Sequence, residues 1–192
     1  MTFGVNAAII ICGLAIVYHG NEVCGAKSKT DRRLSLEKRN TEDPVLCDCV
    51  EYSFYHDRKT WDDAQQDCEN NGGTLAIVND QQTHDSIKQY ISDNGFTSMV
   101  QGRGYWIGLM YLESSDTYKW VNDDVLIRGC DFEPWAPNEP NKKVKNGVTQ
   151  NRVQMWKMRS FNWDDDFAYK TKSYICMNYV CPADQNCSAC VQ

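Results

Sequence analysis

Ten cysteines in a chain of 192 residues constrain the possible folds of this protein more than any other feature. Cys12 and Cys24 lie near the N-terminus, before the small residue Ala26. The cysteines that follow Ala26 are eight in number: Cys47, Cys49, Cys68, Cys130, Cys176, Cys181, Cys187 and Cys190. An even set in an exported chain predicts a disulfide framework. The CxxC at 187–190 has no second CxxC beside it, so zinc or redox chemistry is the weaker interpretation.

The N-terminal segment has the pattern of a secretory signal peptide. Its apolar run, Ala7–Val17, is too short to span a bilayer and no stop-transfer flank follows it. Cleavage after Ala26 leaves the even cysteine set, whereas cleavage before Cys24 would strand one thiol. We therefore predict a signal peptide over residues 1–26 and a secreted, extracellular protein without membrane insertion. Because no Lys or Arg precedes the run, a membrane anchor or a buried helix stays open as an alternative.

Charge is distributed unevenly along the chain, which carries a formal net charge of −6. Six of its twenty basic residues fall within residues 27–43, a polar stretch without aromatic side chains. We predict a flexible polar arm over residues 27–46. The rest of the chain is acidic, which argues against nucleic acid as a partner.

From residue 47 onward the pattern is first helical. Within "KTWDDAQQDCENNGG", Thr60 is predicted to cap a helix that the glycines at 72–73 end. "TLAIV" is predicted as a short buried strand. Asn79 is predicted to cap a second helix, with Gln82 three residues later completing a capping box.

The helical period disappears after this point. "YWIGLMY" and "YKWVN" are predicted as paired strands, and "NRVQMW" and "KSYICMNYV" as the last two core strands. Three prolines exclude regular structure through 133–141. The sequence therefore predicts an α+β domain with one long loop from Val125 to Gln150, and long loops of this kind are usually functional.

Five motifs occur in a fixed order within this part: "TW…A…C", "WIGL", "W-x-P-x-EPN", "FNW-D-D" and "YIC". Together they resemble the C-type lectin domain. The resemblance implies a C-type lectin-like double-loop fold over residues 47–179, with two helices, small antiparallel sheets and a long calcium- and sugar-binding loop. The resemblance also implies a disulfide bond between Cys68 and Cys176. No partners are predicted for the other six cysteines, three of which lie in a Cys-rich tail over residues 180–192.

The resemblance also implies which residues hold Ca2+. The positions that match the family's calcium ligands are Glu139, Asn141, Gln150, Asp164 and Asp165. Of these, the residues implied to bind the sugar as well are Glu139, Asn141, Gln150 and Asp164. The EPN triplet is the family's version for mannose, glucose, N-acetylglucosamine and fucose, and the resemblance implies that the Glu139–Pro140 bond is cis. Calcium takes six to eight oxygen ligands, which this set of carboxylates and amides suits.

Two ligand positions depart from the family pattern and offset each other in charge. Gln150 stands where a glutamate is expected, and Asp164 stands where an asparagine is expected. The set therefore keeps three negative charges, and we predict that calcium binding is retained. A second family bridge is absent because its positions are Arg152 and Ala168, so we expect a less constrained site loop.

An insert, "KKVKNGV", follows Asn141. Its lysines, Lys142, Lys143 and Lys145, could favour sulfated or sialylated glycans. A solvated hairpin tip around the Asn-Gly pair at 146–147 is the preferred alternative.

These features together predict a secreted, calcium-dependent lectin for mannose-type sugars, with innate immune glycan recognition as its expected setting and homo-oligomerisation left open. No HExxH or GxSxG motif is present and no nucleophile motif accompanies His56 or His84, so we predict that the protein is not an enzyme. The alternative function is a domain of the same fold that binds a protein or another surface without calcium or sugar.

Overall fold

The structure, a computed structural model, describes residues 7–12 and 49–180. The predicted cleavage point at Ala26, the predicted arm over 27–46 and the tail beyond Val180 lie outside these residues, so they stay predictions. Ala7–Cys12, part of the apolar run assigned to the signal peptide, forms a β-strand. Among the described helices, none has the length and apolar character needed to cross a membrane.

The chain separates into two units. The first comprises residues 1–11 and 50–178, and the second comprises residues 12–49 and 179–192. Most of the second unit lies outside the described residues.

Three helices, eleven strands and one 3-10 turn make up the described part. The helices are α1 (Trp61–Asn70), α2 (Gln81–Asp93) and α3 (Phe96–Met99), and the 3-10 turn is Lys157–Arg159. The strands are β1 (Ala7–Cys12), β2 (Cys49–Lys59), β3 (Thr74–Leu75), β4 (Gly104–Leu112), β5 (Thr117–Trp120), β6 (Val125–Leu126), β7 (Val144–Lys145), β8 (Val148–Thr149), β9 (Arg152–Trp156), β10 (Asn162–Asp166) and β11 (Lys172–Val180).

Nine of these strands form one branched sheet. Its main path is β1-β2-β11-β4-β5-β6, and β3 pairs with β11 beside this path. Strands β11 and β4 run parallel, with Tyr174 opposite Trp106. Strand β9 branches from β4 and carries β10 as its antiparallel partner. Strands β7 and β8 form a separate hairpin. The β4-β9-β10 branch places the acidic run of residues 164–166 at one side of the sheet.

Helix α1 begins and ends as the sequence predicts. The Thr60 hydroxyl accepts a hydrogen bond from the Asp63 backbone N–H, 3.2 Å away, and the helix ends before Gly72. Its buried face carries Cys68, which forms a disulfide with Cys176 on β11. This bridge fastens the helix to the sheet. Elsewhere in the described part, Cys49 and Cys130 are each disulfide-bonded as well.

Helix α2 begins one residue later than predicted. Its N-cap is Asp80, so the prediction of Asn79 is wrong. The Asp80 carboxylate accepts hydrogen bonds from both the backbone N–H and the hydroxyl of Thr83, 2.8 and 2.7 Å away. Since a carboxylate also favours the positive end of the helix dipole, Asp80 is the better capping residue of the two.

Several strands differ from the prediction. Strand β2 was not predicted, and neither was β6, which lies where the long loop was predicted to begin. In "TLAIV" only Thr74–Leu75 is a strand, although residues 76–78 are buried. Strand β10 was not predicted, because three consecutive aspartates have low strand propensity. It pairs with β9 with Trp163 opposite Met155 and Asp166 opposite Arg152.

The long loop has the predicted character. Residues 133–141 contain no helix or strand, apart from an isolated bridge between Trp135 and Trp163. The insert forms the β7–β8 hairpin, in which Asn146 and Gly147 have φ values of 53° and 76°. Two positive φ values suit an Asn-Gly turn between paired strands. The preferred interpretation of the insert as a hairpin tip is therefore confirmed.

An aromatic cluster lies beneath the loop and β10. Trp163 is fully buried, and its ring lies 5.4–5.8 Å from the rings of Trp120, Phe132 and Trp135. Because Trp163 directly precedes Asp164, the cluster fixes the start of the acidic run.

Candidate metal centre and sugar site

Three carboxylates come together where the long loop meets β10. Oxygens of Glu139, Asp164 and Asp165 all lie within 4.8 Å of one another. Asp164 and Asp165 are buried, and Glu139 is half-buried. Of the predicted calcium ligands, these three are directly assembled by the fold.

Backbone hydrogen bonds align the two segments that carry these carboxylates. One is the EPN arm, residues 134–142 of the long loop, and the other is strand β10. The Trp163 N–H donates to the Pro134 carbonyl, 2.9 Å away, and the Ala136 N–H donates to the Trp163 carbonyl, 2.8 Å away. The proline-rich segment thus runs beside β10 as an additional backbone partner. This pairing brings Glu139, three residues after Ala136, to the side of Asp164.

Asp165 holds the second half of the EPN arm. One of its oxygens accepts from the Asn141 N–H at 2.9 Å, and the other accepts from the Lys142 N–H at 2.7 Å. The Glu139–Pro140 bond is cis, as the resemblance implies. Both predicted sugar-binding residues of the triplet, Glu139 and Asn141, therefore lie on an arm that Asp165 fixes.

The side chains of Glu139 and Asn141 are bonded to each other. The Asn141 amide donates from Nδ2 to Glu139 Oε2, and Asn141 Oδ1 accepts from the Lys143 N–H, 3.0 Å away. The side chain of Asn141 thus reaches the carboxylate cluster through Glu139, whereas its backbone N–H contacts Asp165 directly.

Gln150 is buried, with 7 % of its surface exposed. Its Nε2 donates to Asp166 Oδ1, 3.3 Å away, and its backbone N–H donates to the Lys143 carbonyl. Within the described residues its Oε1 atom is buried and has no hydrogen-bond partner. The structure thus connects Gln150 to the site through Asp166 and leaves one buried acceptor oxygen unused.

Sequence reasoning missed three buried residues behind the ligands. Gln154 donates to Asp164 Oδ2 at 2.6 Å, and Lys172 forms an ion pair with Asp166 Oδ2 at 2.7 Å. The available signals were weak: Asp166 is the third member of an acidic run, and Lys172 is the only charged residue of its strand.

The residues present fit a calcium ion. Carboxylate and amide oxygens are the donors that this hard cation prefers. The unpartnered Gln150 Oε1 is a second, independent sign, because a buried acceptor without a donor is costly unless a ligand satisfies it.

Burial and mutual repulsion shift the pKa values of the carboxylates. Burial, followed by the charges of Asp164 and Asp165, raises the pKa of Glu139 to about 7. Burial also raises the pKa of Asp164 to about 6, although the hydrogen bond from Gln154 opposes the shift. A bound cation would relieve this repulsion.

These shifts predict a pH-dependent effect of calcium on stability. Because both folded-state pKa values lie above those of the unfolded chain, the metal-free domain gains stability from these groups below about pH 4 and loses it as the pH rises through 6 and 7. Calcium binds the ionised carboxylates, so its affinity rises over the same range. We expect the difference in Tm between calcium and EDTA to be larger at about pH 8 than at about pH 5.

Differential scanning fluorimetry at both pH values would measure this difference. The Glu139→Gln variant is the control, since it lacks the carboxyl with the higher pKa and should show a smaller dependence on pH. A Tm difference that is the same at both pH values would contradict the interpretation.

The sequence of this chain matches a known protein family and several of its members. The family described as the lectin C-type domain matches residues 57–178, well over half of the chain. A C-type lectin of Thrasops jacksonii, one of the lectoxins, is 27% identical over 128 residues, which cover 65% of this chain and 74% of the relative. A perlucin-like protein of Mytilus galloprovincialis is 25% identical over 130 residues, which cover 68% of this chain and 74% of the relative.

Two solved structures have the same fold. The C-type carbohydrate-recognition domain of cow CD23, determined in the presence of a GlcNAc2Man3 oligosaccharide, has a TM-score of 0.56 and 25% identity, covering 69% of this chain and 90% of that domain. A calcium-independent type II antifreeze protein has a TM-score of 0.50 and 21% identity, covering 68% of this chain and 86% of its own. The chain belongs to the C-type lectin domain family. The family resemblance and the α+β fold class predicted from the sequence are confirmed.

Proposed function

We propose that this protein is a secreted, calcium-dependent lectin that binds mannose-type sugars through vicinal hydroxyls. The observation that carries this proposal is the convergence of Glu139, Asp164 and Asp165 within 4.8 Å. The family and the chemistry of the site support carbohydrate as the partner. The chain carries the EPN triplet of mannose-type members, on which the narrower sugar class rests.

The proposed ligand set spans both arms. Its members are Glu139, Asn141, Gln150, Asp164 and Asp165. When bound, Ca2+ supplies coordination for sugar hydroxyls, and charge-assisted hydrogen bonds from the same residues hold those hydroxyls in place.

The bond between Asn141 and Glu139 supports a hydroxyl-binding role. A sugar hydroxyl both donates and accepts hydrogen bonds. It can therefore donate to the Glu139 carboxylate and leave the Asn141 amide free to donate to a neighbouring hydroxyl. The bonded pair thus offers one acceptor and one donor, which is complementary to vicinal hydroxyls.

Affinity chromatography tests the function directly. The protein should bind mannan-agarose in calcium and elute with EDTA or with free mannose. Retention that EDTA does not disturb, or no retention at all, would favour the alternative in which the domain binds a protein or another surface without calcium. This alternative is supported by the calcium-independent antifreeze protein, which has the same fold.

A second prediction concerns the two polar residues of the EPN triplet. Glu139→Gln with Asn141→Asp exchanges the donor and acceptor positions, so it should weaken mannose binding by about tenfold, or about 1.4 kcal/mol. It should also move the preference toward galactose. Competition by the two free sugars measures both changes.

A matched control exchanges the same residue types on exposed positions outside the ligand set, as Glu113→Gln with Asn146→Asp. This control should leave the sugar profile unchanged. An unchanged profile in the EPN variant itself would remove the triplet from the mechanism.

The lysines of the insert differ in their surroundings. Lys142 is paired with Asp116 at 2.6 Å and lies over the Tyr111 ring, whereas Lys143 and Lys145 are exposed. A preference for sulfated or sialylated glycans stays a prediction. So do innate immune recognition, homo-oligomer formation and the absence of enzymatic activity, although proteins of this family are typically non-enzymatic binders.

A further inference from the structure

A buried ion pair lies behind the carboxylate cluster. Lys172 is 0 % exposed and Asp166 is 2 % exposed, and their charged atoms are 2.7 Å apart. Lys172 also donates to the Gly102 carbonyl at 2.9 Å, and Lys170 pairs with the other Asp166 oxygen at 2.7 Å. Removing both charges from water is costly, so a pair of this kind is weak evidence for stability. Its contacts with the ligand side chains suggest a different role.

Asp166 determines which end of two glutamine amides faces it. An ionised carboxylate only accepts hydrogen bonds, so the NH2 end of each neighbouring amide must turn toward it. Gln150 Nε2 donates to Asp166 Oδ1 at 3.3 Å, and Gln154 Nε2 lies 3.5 Å from Asp166 Oδ2. Each glutamine therefore has its oxygen on the other side. For both glutamines this Oε1 atom is buried without a hydrogen-bond partner among the described residues.

Gln154 lies between Asp166 and Asp164, and its contact with Asp164 is the closer of the two. Gln154 Nε2 donates to Asp164 Oδ2 at 2.6 Å. Its Oε1 lies close to Gly104, where an added Cβ would come within 2.5 Å of it. The amide therefore has little room to move, and Asp164 is left with one oxygen free of this bond.

The ion pair and its glutamine partners lie beside Arg152 and Ala168, the two positions where the family has a disulfide that this chain lacks. Asp166 is opposite Arg152 in the β9–β10 pair. Arg152 packs over the Trp61 ring at 4.6 Å, and the Trp61 N–H donates to the Ala168 carbonyl at 3.3 Å. Both positions of the absent disulfide are thus tied non-covalently to Trp61, next to the ion pair.

On the basis of the proposed function, we propose that Asp166, neutralised by Lys172, is the positioning residue that turns Gln150 Oε1 toward calcium and holds Asp164 in place. A glutamine at position 150 can ligate a cation only through its oxygen, and with the opposite orientation it would present NH2 to the ion. The charge of Lys172 lets Asp166 orient the amides without competing for the cation itself.

The double variant Asp166→Asn/Lys172→Met tests this role in the full-length protein. It removes one negative and one positive charge together, so the local net charge is unchanged. Replacing a buried ion pair as a unit is often neutral for stability. We expect a Tm in EDTA close to that of the parent, but a calcium affinity about 10–100-fold lower in titration calorimetry, the usual effect of losing a residue that orients a metal ligand.

A second variant keeps the ion pair and removes the amide. Gln150→Leu should lower calcium affinity by a similar factor, and adding it to the double variant should cause little further loss, because both changes remove the same ligand. If Gln150→Leu binds calcium like the parent, the inference is wrong, even if the double variant does not fold.

A third variant tests orientation itself. Gln150→Glu supplies an oxygen at both ends, so in the Asp166→Asn/Lys172→Met background it should recover most of the lost affinity. Parent-like affinity in the unrescued double variant would overturn the role of Asp166 and leave the proposed lectin function intact. No calcium binding by the parent would overturn both.

Discussion

The Cys68→Ala/Cys176→Ala variant is expected to lose about 4 kcal/mol of unfolding free energy. The bridge joins residues 108 positions apart, and closing a loop of this size removes much entropy from the unfolded chain. Both sulfurs are buried between α1 and the sheet, so their loss also removes packing. Urea denaturation followed by circular dichroism would measure the change.

Met158→Ala is a suitable control for this measurement, since the side chain is exposed and its removal should change the free energy by less than about 0.5 kcal/mol. A loss below about 1 kcal/mol in the cysteine variant would mean that helix α1 is held to the sheet mainly by other contacts.

Trp163→Ala is expected to have the second large effect, and to affect both stability and calcium binding. Its ring packs among Trp120, Phe132 and Trp135, so truncation should cost about 3–5 kcal/mol. Because Asp164 follows directly in the chain, we also expect calcium affinity to fall by about tenfold.

Phe54→Ala separates these two effects. Phe54 is equally buried, but its ring contacts are Tyr90, Phe96 and Tyr105. It should lose a similar unfolding free energy while keeping parent-like calcium affinity in the folded fraction. Equal losses of affinity in the two variants would show that general destabilisation, and not the position of Trp163, weakens the site.

The sequence allowed much of the fold to be predicted because its strongest signals are local. Thr60 caps α1 with a bond that depends only on residues three positions apart. The prediction of Asn79 as the cap of α2 was wrong because the next residue, Asp80, also has a capping side chain, and its carboxylate accepts two hydrogen bonds from Thr83. Strand β10 was missed because its pairing with β9, and not its own composition, makes it a strand.

For the site, the motifs identified the two arms but not what supports them. Three of the positions that the resemblance assigned, Glu139, Asp164 and Asp165, lie within 4.8 Å of one another, and their role as calcium ligands stays a prediction. The residues behind Gln150 could not be predicted, because Gln154 on β9 meets Asp166 on β10 only through strand pairing. Lys172 lies on β11, which pairs with β4 and not with β9 or β10. A lysine at the beginning of a strand is ordinarily solvent-exposed, and nothing in the local pattern indicates that this one is buried.

The alignment of the loop with β10 has an evolutionary consequence. The bonds that join Pro134 and Ala136 to Trp163 involve only main-chain atoms. Such bonds place little demand on side-chain identity, so exposed positions of the loop can change without loss of the frame, whereas Trp135 is held by its ring contact with Trp163. If the triplet binds a ligand as we propose, selection can diversify recognition there one residue at a time, while the conformation of the scaffold is inherited.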